Sequence, residues 1–327
     1  VWGVGPSGVV DRAGGKDGLG QAVTTDSMFR TYCATKPLLA LLCGVFVTEG
    51  ELSFDDRLGD LLPIGGVHAQ MTVEEILRHR TGLEHPNGIV VSTLRAENRL
   101  SAVLEHGPVV PPIGRSETAY SEAATWILLG EAVSTLVSGT LADAVRELVL
   151  APLRLEHEFD LADGGPTSRL ALNISLRPGR AWPLLIERGE ALAWPSNPGY
   201  GGAATCRGLA GLAAAANPTT SDRQLALNGG VMRQMLTGVP RHDRVLGRLM
   251  TFGQGWMLDL PAIDFGHSVS AEAFGHVGLT GMTALWCDPI AMVAAAWHVN
   301  GLVDGETMVT WLRPRITEAT MELSLIH

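Results

Sequence analysis

Hydrophobic and polar positions along the chain change period twice. The first 25 residues read as a short strand around Val9–Val10, broken by glycine-rich turns. Phe29 to Lys36 then run into the apolar stretch Pro37–Val47, with Gly50 as the stop. Proline is tolerated in a first helical turn and glycine favours the exit, so this pattern predicts a helix over Cys33–Glu49. It is apolar nearly all round and should be buried. A second helix is predicted from Thr72, where Thr72-x-x-Glu75 forms a capping box, to Gly82. Others are predicted over Ser121–Leu136, Leu141–Val149, Cys206–Ala216 and Asp222–Leu236. Residues 155–200, rich in Pro, Gly and Trp, read as an ordered loop region over a site. From Met250 onward short runs split by glycine predict antiparallel strands over Phe252–Leu258, Ala273–His276, Met282–Cys287 and Ala291–Val299. A helix over Glu306–Leu323 closes the chain. Strands at both ends with helices between them predict an α/β fold. Residues 1–60 and 240–327 form a discontinuous sheet domain, residues 61–239 an inserted, mostly helical domain, and the active site lies between them.

Composition narrows the function classes. The 327 residues carry 24 Lys+Arg against 34 Asp+Glu, a net charge of −10, with 46% hydrophobic and 18% charged residues. That profile is globular rather than disordered. Without a concentrated basic face, nucleic acid is excluded as a partner. The longest uninterrupted apolar run, Pro37–Val47, is well short of the ~18–20 residues that span a bilayer, so no membrane association is expected. Four scattered cysteines (Cys33, Cys43, Cys206, Cys287) form no C-x-x-C pair and no zinc-finger spacing. They read as reduced thiols in a cytoplasmic protein. No metal constellation, phosphate loop or nucleotide fingerprint is present in the sequence, and no cofactor is implied. Of the 24 basic residues 22 are arginine, and Lys36 is one of only two lysines. Arginine does not give up its proton at any relevant pH, whereas lysine can serve as a base.

Cys33 and Lys36 stand at i and i+3 on the first turn of the predicted buried helix, facing the same way. The positive helix end and a nearby ammonium would lower the thiol pKa and favour the thiolate. Taken alone, Cys-x-x-Lys also reads as a buried small side chain beside a lysine whose stem packs on the core.

The neighbouring motifs decide between these readings. Phe29-Arg30-x-x-Cys33-x-x-Lys36-Pro37 is followed by the turn Glu49 to Asp56, by Leu61-Leu62-Pro63 and by Ile76 to Leu83. Further on come Tyr120-Ser121-Glu122, Ala151-Pro152-Leu153, Gly201-Gly202, Phe252-Gly253-Gln254-Gly255-Trp256 and His276-Val277-Gly278. This order resembles the β-lactamase-like serine hydrolases: class C β-lactamases, D-Ala-D-Ala carboxypeptidases, and related esterases and transacylases. The resemblance covers about residues 25–300. It implies an antiparallel sheet flanked by helices. The family carries more sheet ahead of its first motif than the 28 residues here, which implies further sequence upstream of Val1.

The resemblance assigns roles residue by residue. Cys33 takes the nucleophile position, a serine in the family; Lys36 is its base or ion partner; Tyr120 moves the proton to the leaving group. His276 and Gly278 lie on the strand flanking the cleft, and the backbone N–H groups of Cys33 and Leu279 would form the oxyanion hole, each worth about 3 kcal/mol. His79 is a packing residue in this scheme, and Trp182, Trp194 and Tyr200 are candidate linings of an acyl pocket or packing anchors of their loop. Three departures shape the expected chemistry. Cys33 would give a thioester intermediate, suited to transfer onto an amine. Glu122 replaces the Asn of Tyr-x-Asn, and would neutralise Lys36 or bind a cationic acceptor. His276 replaces the Lys of Lys-Thr-Gly, removing the cation that grips the carboxylate of penicillins and peptides. Together they point to an acyltransferase of secondary metabolism, of the antibiotic-biosynthesis kind, acting on a small-molecule acyl donor and an amine or alcohol acceptor. An acyl carrier protein is a candidate donor carrier. An esterase or amidase with the same residues, and a non-catalytic binding descendant, are the alternatives.

Overall fold

The computed structural model describes all residues except 84–98, 106–115, 162–168, 178–179, 185–187, 189–191, 193, 195, 218–224, 303–306 and 326–327. Its centre is a nine-stranded sheet. The strands are β1 (Trp2–Gly5), β2 (Gly8–Asp11), β3 (Glu117–Thr118), β4 (Arg241–Asp243), β5 (Arg248–Phe252), β6 (Met257–Leu258), β7 (Phe274–Gly278), β8 (Thr283–Asp288) and β9 (Val293–His298). Their order is β2-β1-β9-β8-β7-β6-β5-β4-β3. Every pairing is antiparallel except β3–β4, where Glu117 lies parallel to His242. Strands from both ends of the chain therefore share one sheet, because β1 pairs with β9 in the register Trp2↔Ala296.

Period-two alternation sorts the side chains of β8 and β9 onto two faces. Leu285, Cys287, Ala294 and Ala296 join the larger core, with helices α1 (Lys36–Glu49), α3 (Ala124–Ser134) and α4 (Cys206–Ala215). Ala284, Trp286, Val293, Ala295 and Trp297 face the other way, into a second core with Phe265 and with Met321 of α6 (Arg313–Leu325). Both faces are thus covered. The alanines on the α4 side let that helix lie close against the sheet.

The chain enters α1 through a 3₁₀ turn, Tyr32–Thr35, with Pro37 in the first helical turn and Gly50 as a left-handed C-cap. The helical run Tyr32–Glu49 is by length and composition apolar enough to cross a bilayer, in contrast to the shorter stretch expected from Pro37–Val47 alone. Most of it is buried inside this fold, where it serves as the core helix.

Three predicted elements are cut short for identifiable reasons. The capping box of Thr72 and Glu75 forms, but α2 (Val73–Leu77) stops well before Gly82. His79 takes a left-handed φ of 54°, and its carbonyl accepts the amide of Ala119. Helix α3 begins at Ala124 rather than Ser121, since residues 121–123 are spent on the site. The predicted strand Phe252–Leu258 is in fact β5, a turn, and β6. At Gly255 (φ 79°) a Cβ would meet that of Ala40 on α1 at 2.2 Å, so this turn is pressed onto the core helix. In the loop-rich region, Ile174–Arg177 and Arg180–Pro183 pair as a small ribbon. The helix predicted over Asp222–Leu236 is observed as α5 (Gly229–Met235); residues 222–224 lie outside the described residues. The closing helix includes Thr307–Leu312 as a wider π turn, and Glu306 lies outside the described residues.

Candidate active site

The site forms where the 3₁₀ turn meets the end of β7. In a 3₁₀ helix residues i and i+3 eclipse, so the turn Tyr32–Thr35 and its cap stack Cys33 and Lys36 directly. Lys36 is fully buried. Its Nζ donates to the carbonyls of Glu122 (2.7 Å) and Gly199 (2.6 Å), and lies 5.3 and 5.2 Å from the ring centroids of Tyr120 and Trp126. Two carbonyls fix two of its N–H bonds in either protonation state. The remaining tetrahedral position holds a proton or a lone pair, which is what a proton carrier needs.

The Cys33 thiol receives hydrogen bonds from Tyr120 and Lys36, and the residue is only 6% exposed. That burial pushes the thiol above its ordinary pKa. The Lys36 charge and the two hydrogen bonds pull it down and the Glu122 carboxylate pushes it up, but desolvation is the largest influence. The lowered pKa expected from sequence is therefore corrected: the resting group at neutral pH is a thiol that must be deprotonated as it reacts. Cys43, fully buried, is pushed up to about 12. Cys206 is also raised by burial.

Tyr120 is held from behind. The His79 ring lies 4.5 Å from the Tyr120 ring and 4.7 Å from Phe252, and His79 Nδ1 accepts the amide of Ser121 at 2.9 Å. Burial, with the Lys36 charge, keeps His79 well below the usual histidine range. It is neutral, and it orients the Tyr120 segment as a packing and hydrogen-bonding residue. His276 stands on β7 with its ring 6.2 Å from that of Tyr120. Burial and the Lys36 charge lower it to about 3, so no cation replaces the missing lysine there. A neutral ring whose Nδ1 lies 2.9 Å from the Val277 carbonyl donates from that nitrogen, leaving Nε2 as acceptor.

Two backbone positions beside the thiol are strained. Tyr32 has φ 49° and Leu279 φ 35°, conformations that cost a non-glycine residue on the order of 1–3 kcal/mol and concentrate at functional sites. Between them, Gly278 lies so close to the turn carrying Cys33 that a Cβ would reach the Thr31 carbonyl at 2.1 Å. The absence of a side chain lets β7 approach Cys33 and brings Leu279 to the same cavity.

That cavity has a volume of about 400 Å³ and opens on Cys33, Tyr120, Glu122 and Tyr200. Its far walls are aliphatic, with Val245, Leu246, Met250, Met257, Ile263 and Val277 among them. Glu122 faces the cavity, and its bond to Lys36 runs through the backbone carbonyl rather than the carboxylate expected from sequence. Trp194 is corrected: it is fully buried in the larger core, under Gly202, and does not line the cavity. Of the loop aromatics only Tyr200 reaches it; the Trp182 side chain lies outside what is described. Sequence reading missed the tip of the β4–β5 hairpin and two arginines. Arg248 is held by Asp264 (2.5 Å) and the Ala262 carbonyl, and Arg313 donates to the Ile263 carbonyl at 2.8 Å. The signal was available: Val245 and Leu246 are aliphatic residues in a turn, where polar ones are usual.

The profile of the Beta-lactamase family matches residues 4–315. Penicillin-binding protein 4 of Amycolatopsis lactamdurans is 29% identical over 195 residues, 55% of this chain and 48% of that protein, so the match spans about half the length of that curated relative. A penicillin-binding protein homolog from Caulobacter crescentus superposes with a TM-score of 0.72 at 25% identity, covering 98% of this chain and 91% of that one. EstCE1, described as a hydrolase with promiscuous acyltransferase activity, superposes with a TM-score of 0.72 at 16% identity, covering 94% and 87%.

Proposed function

The chain belongs to the beta-lactamase family, and from that premise we propose that it is an acyltransferase working through a thioester on Cys33. The observation that carries this reading is the thiol itself, bonded to Tyr120 and Lys36 at the mouth of an aliphatic cavity. An ester or thioester donor places its acyl chain against Met250, Met257 and Ile263. As Cys33 Sγ attacks the acyl carbon, its proton passes to Lys36 in the neutral amine form, and Tyr120 delivers a proton to the departing alcohol or thiol and regains one from Lys36. The backbone at Cys33 and Leu279 faces the developing oxyanion in this reading. An amine or hydroxyl acceptor, deprotonated through Tyr120 and Lys36, then attacks the thioester and restores the thiol. Glu122 is placed to attract a cationic acceptor.

Hydrolysis by the same residues, with water as acceptor, is the second reading. The aliphatic walls and the low exposure of Cys33 favour transfer over it, because they disfavour water beside the thioester. EstCE1, similar in fold, is a hydrolase with promiscuous acyltransferase activity.

Intact-protein mass spectrometry after incubation with a panel of acyl thioesters and activated esters tests the reading. We expect a single acyl adduct that maps to Cys33, is absent from Cys33→Ala, and is discharged faster by added amine than by water. An adduct that survives Cys33→Ala overturns the assignment, and discharge by water alone makes the protein a hydrolase.

A further inference from the structure

A second pocket, sharing no residue with the thiol cavity, is walled on one side by Phe252. It has a volume of about 230 Å³ and is lined by the end of α2, by β3 and β4, and by Thr237–Val239. Three arginines reach it: Arg78, Arg80 and Arg241. Glu74 is the only carboxylate residue in its lining, among the described residues, and its Oε1 accepts Arg78 Nε at 2.8 Å. Arg78 is otherwise committed to the carbonyls of Gln234, Thr237 and Phe252. Asp243, beneath the pocket, is occupied by the Thr118 hydroxyl and the amides of Val245 and Leu246.

Arg80 and Arg241 therefore bring two guanidinium groups to one concavity without an ion-pair partner among the described residues. Desolvation, together with the nearby cations Arg80 and Arg78, lowers the pKa of Arg241. In a chain with ten more acids than bases, such a cluster is an exception to the general distribution of charge. It stores repulsion that a bound anion relieves.

We propose that this pocket binds a phosphoryl group, either inorganic phosphate or the phosphate end of a small phosphomonoester. A tetrahedral dianion offers enough oxygens to accept from two guanidinium forks at once, whereas one carboxylate is matched by a single fork. Arg78, fixed by its carbonyls, sets the rear wall, while Arg80 and Arg241 close on the ligand. The Phe252 ring shared with this pocket lies 4.7 Å from His79 and 6.0 Å from Tyr120, so the ligand sits one side chain away from the groups that hold the tyrosine.

Calorimetric titration at constant ionic strength tests the proposal, with inorganic phosphate, glycerol phosphate and malonate as separate probes. We expect saturable one-to-one binding of the phosphate probes that weakens at least tenfold in the Arg80→Gln/Arg241→Gln double variant. It should be unchanged in the Arg12→Gln/Arg315→Gln pair, which loses the same charge elsewhere. Tighter binding of glycerol phosphate than of inorganic phosphate identifies the monoester as the ligand class, and the reverse identifies the free ion. The proposal fails if binding is not saturable, if both double variants lose affinity equally, or if malonate binds as well as phosphate. Matching melting temperatures of the two variants show that neither result reflects unfolding. The outcome is independent of the chemistry assigned to Cys33.

Discussion

At Cys33 two physical effects oppose each other, and the sequence exposed only one. The nearby lysine and the helix start were legible from Cys-x-x-Lys, and both lower a thiol pKa. Burial, which outweighs them, depends on Tyr120 and Tyr200, which reach the thiol cavity from segments far apart in the chain. Spacing along one helix carries no trace of that. Trp194 failed for the same reason, since a tryptophan in a loop looks alike whether its ring faces a cavity or the core. The corrected thiol makes a prediction. In a Cys206→Ala background, alkylation of Cys33 by iodoacetamide should keep rising through pH 9, because only the thiolate reacts and the folded pKa lies above the ordinary value of 9.0. A rate that levels off near pH 7 would establish a preformed thiolate instead. Cys43, fully buried and raised to about 12, should stay unlabelled throughout.

Elements were easiest to read where one face or one cap dictated them. The apolar run after Lys36, the Thr72 capping box and the alternating strands β7 to β9 all form near their expected positions. The ends that moved are those recruited by the site. Residues 121–123 leave the helix because Lys36 takes the Glu122 carbonyl, and α2 stops early as His79 turns to hold Ser121. Local propensity cannot anticipate a carbonyl claimed by a partner 86 residues away. The contact between β7 and the turn that carries Cys33 depends on Gly278. Its replacement by alanine must force Thr31 and the strand apart, since the new Cβ would lie 2.1 Å from the Thr31 carbonyl. A displacement near 1 Å costs on the order of 100-fold in a positioned reaction, so kcat/KM on an activated ester should fall by about that factor in Gly278→Ala. Unchanged turnover would remove the β7 end from the site.

Across the whole molecule, the sheet built from both termini was readable from the order of elements, while the pairing of β3 onto β4 was not, because a two-residue strand carries no periodic signal. Burial also sets the response to acid. His79 and His276 are 2% and 1% exposed, one held well below its ordinary value and the other lowered from 6.5 to about 3. Below pH 6.5 the unfolded chain takes up protons that these two rings refuse in the fold. Stability is therefore fully present above pH 6.5 and is lost as pH falls toward the folded values, by about 1.4 kcal/mol per pH unit from His276 alone between pH 6 and 4, with His79 adding in the same direction. Urea unfolding at several pH values checks this; a flat midpoint over that range would mean both rings accept protons without unfolding. Lys36 has a further consequence. Its two carbonyl partners lie 86 and 163 residues along the chain, so the ammonium is seated only after three remote stretches have met. During synthesis or refolding the turn that carries Cys33 can be complete while Lys36 is still misplaced. Under the proposed thioester chemistry, acylation of Cys33 reports that long-range closure and can time it in a refolding experiment.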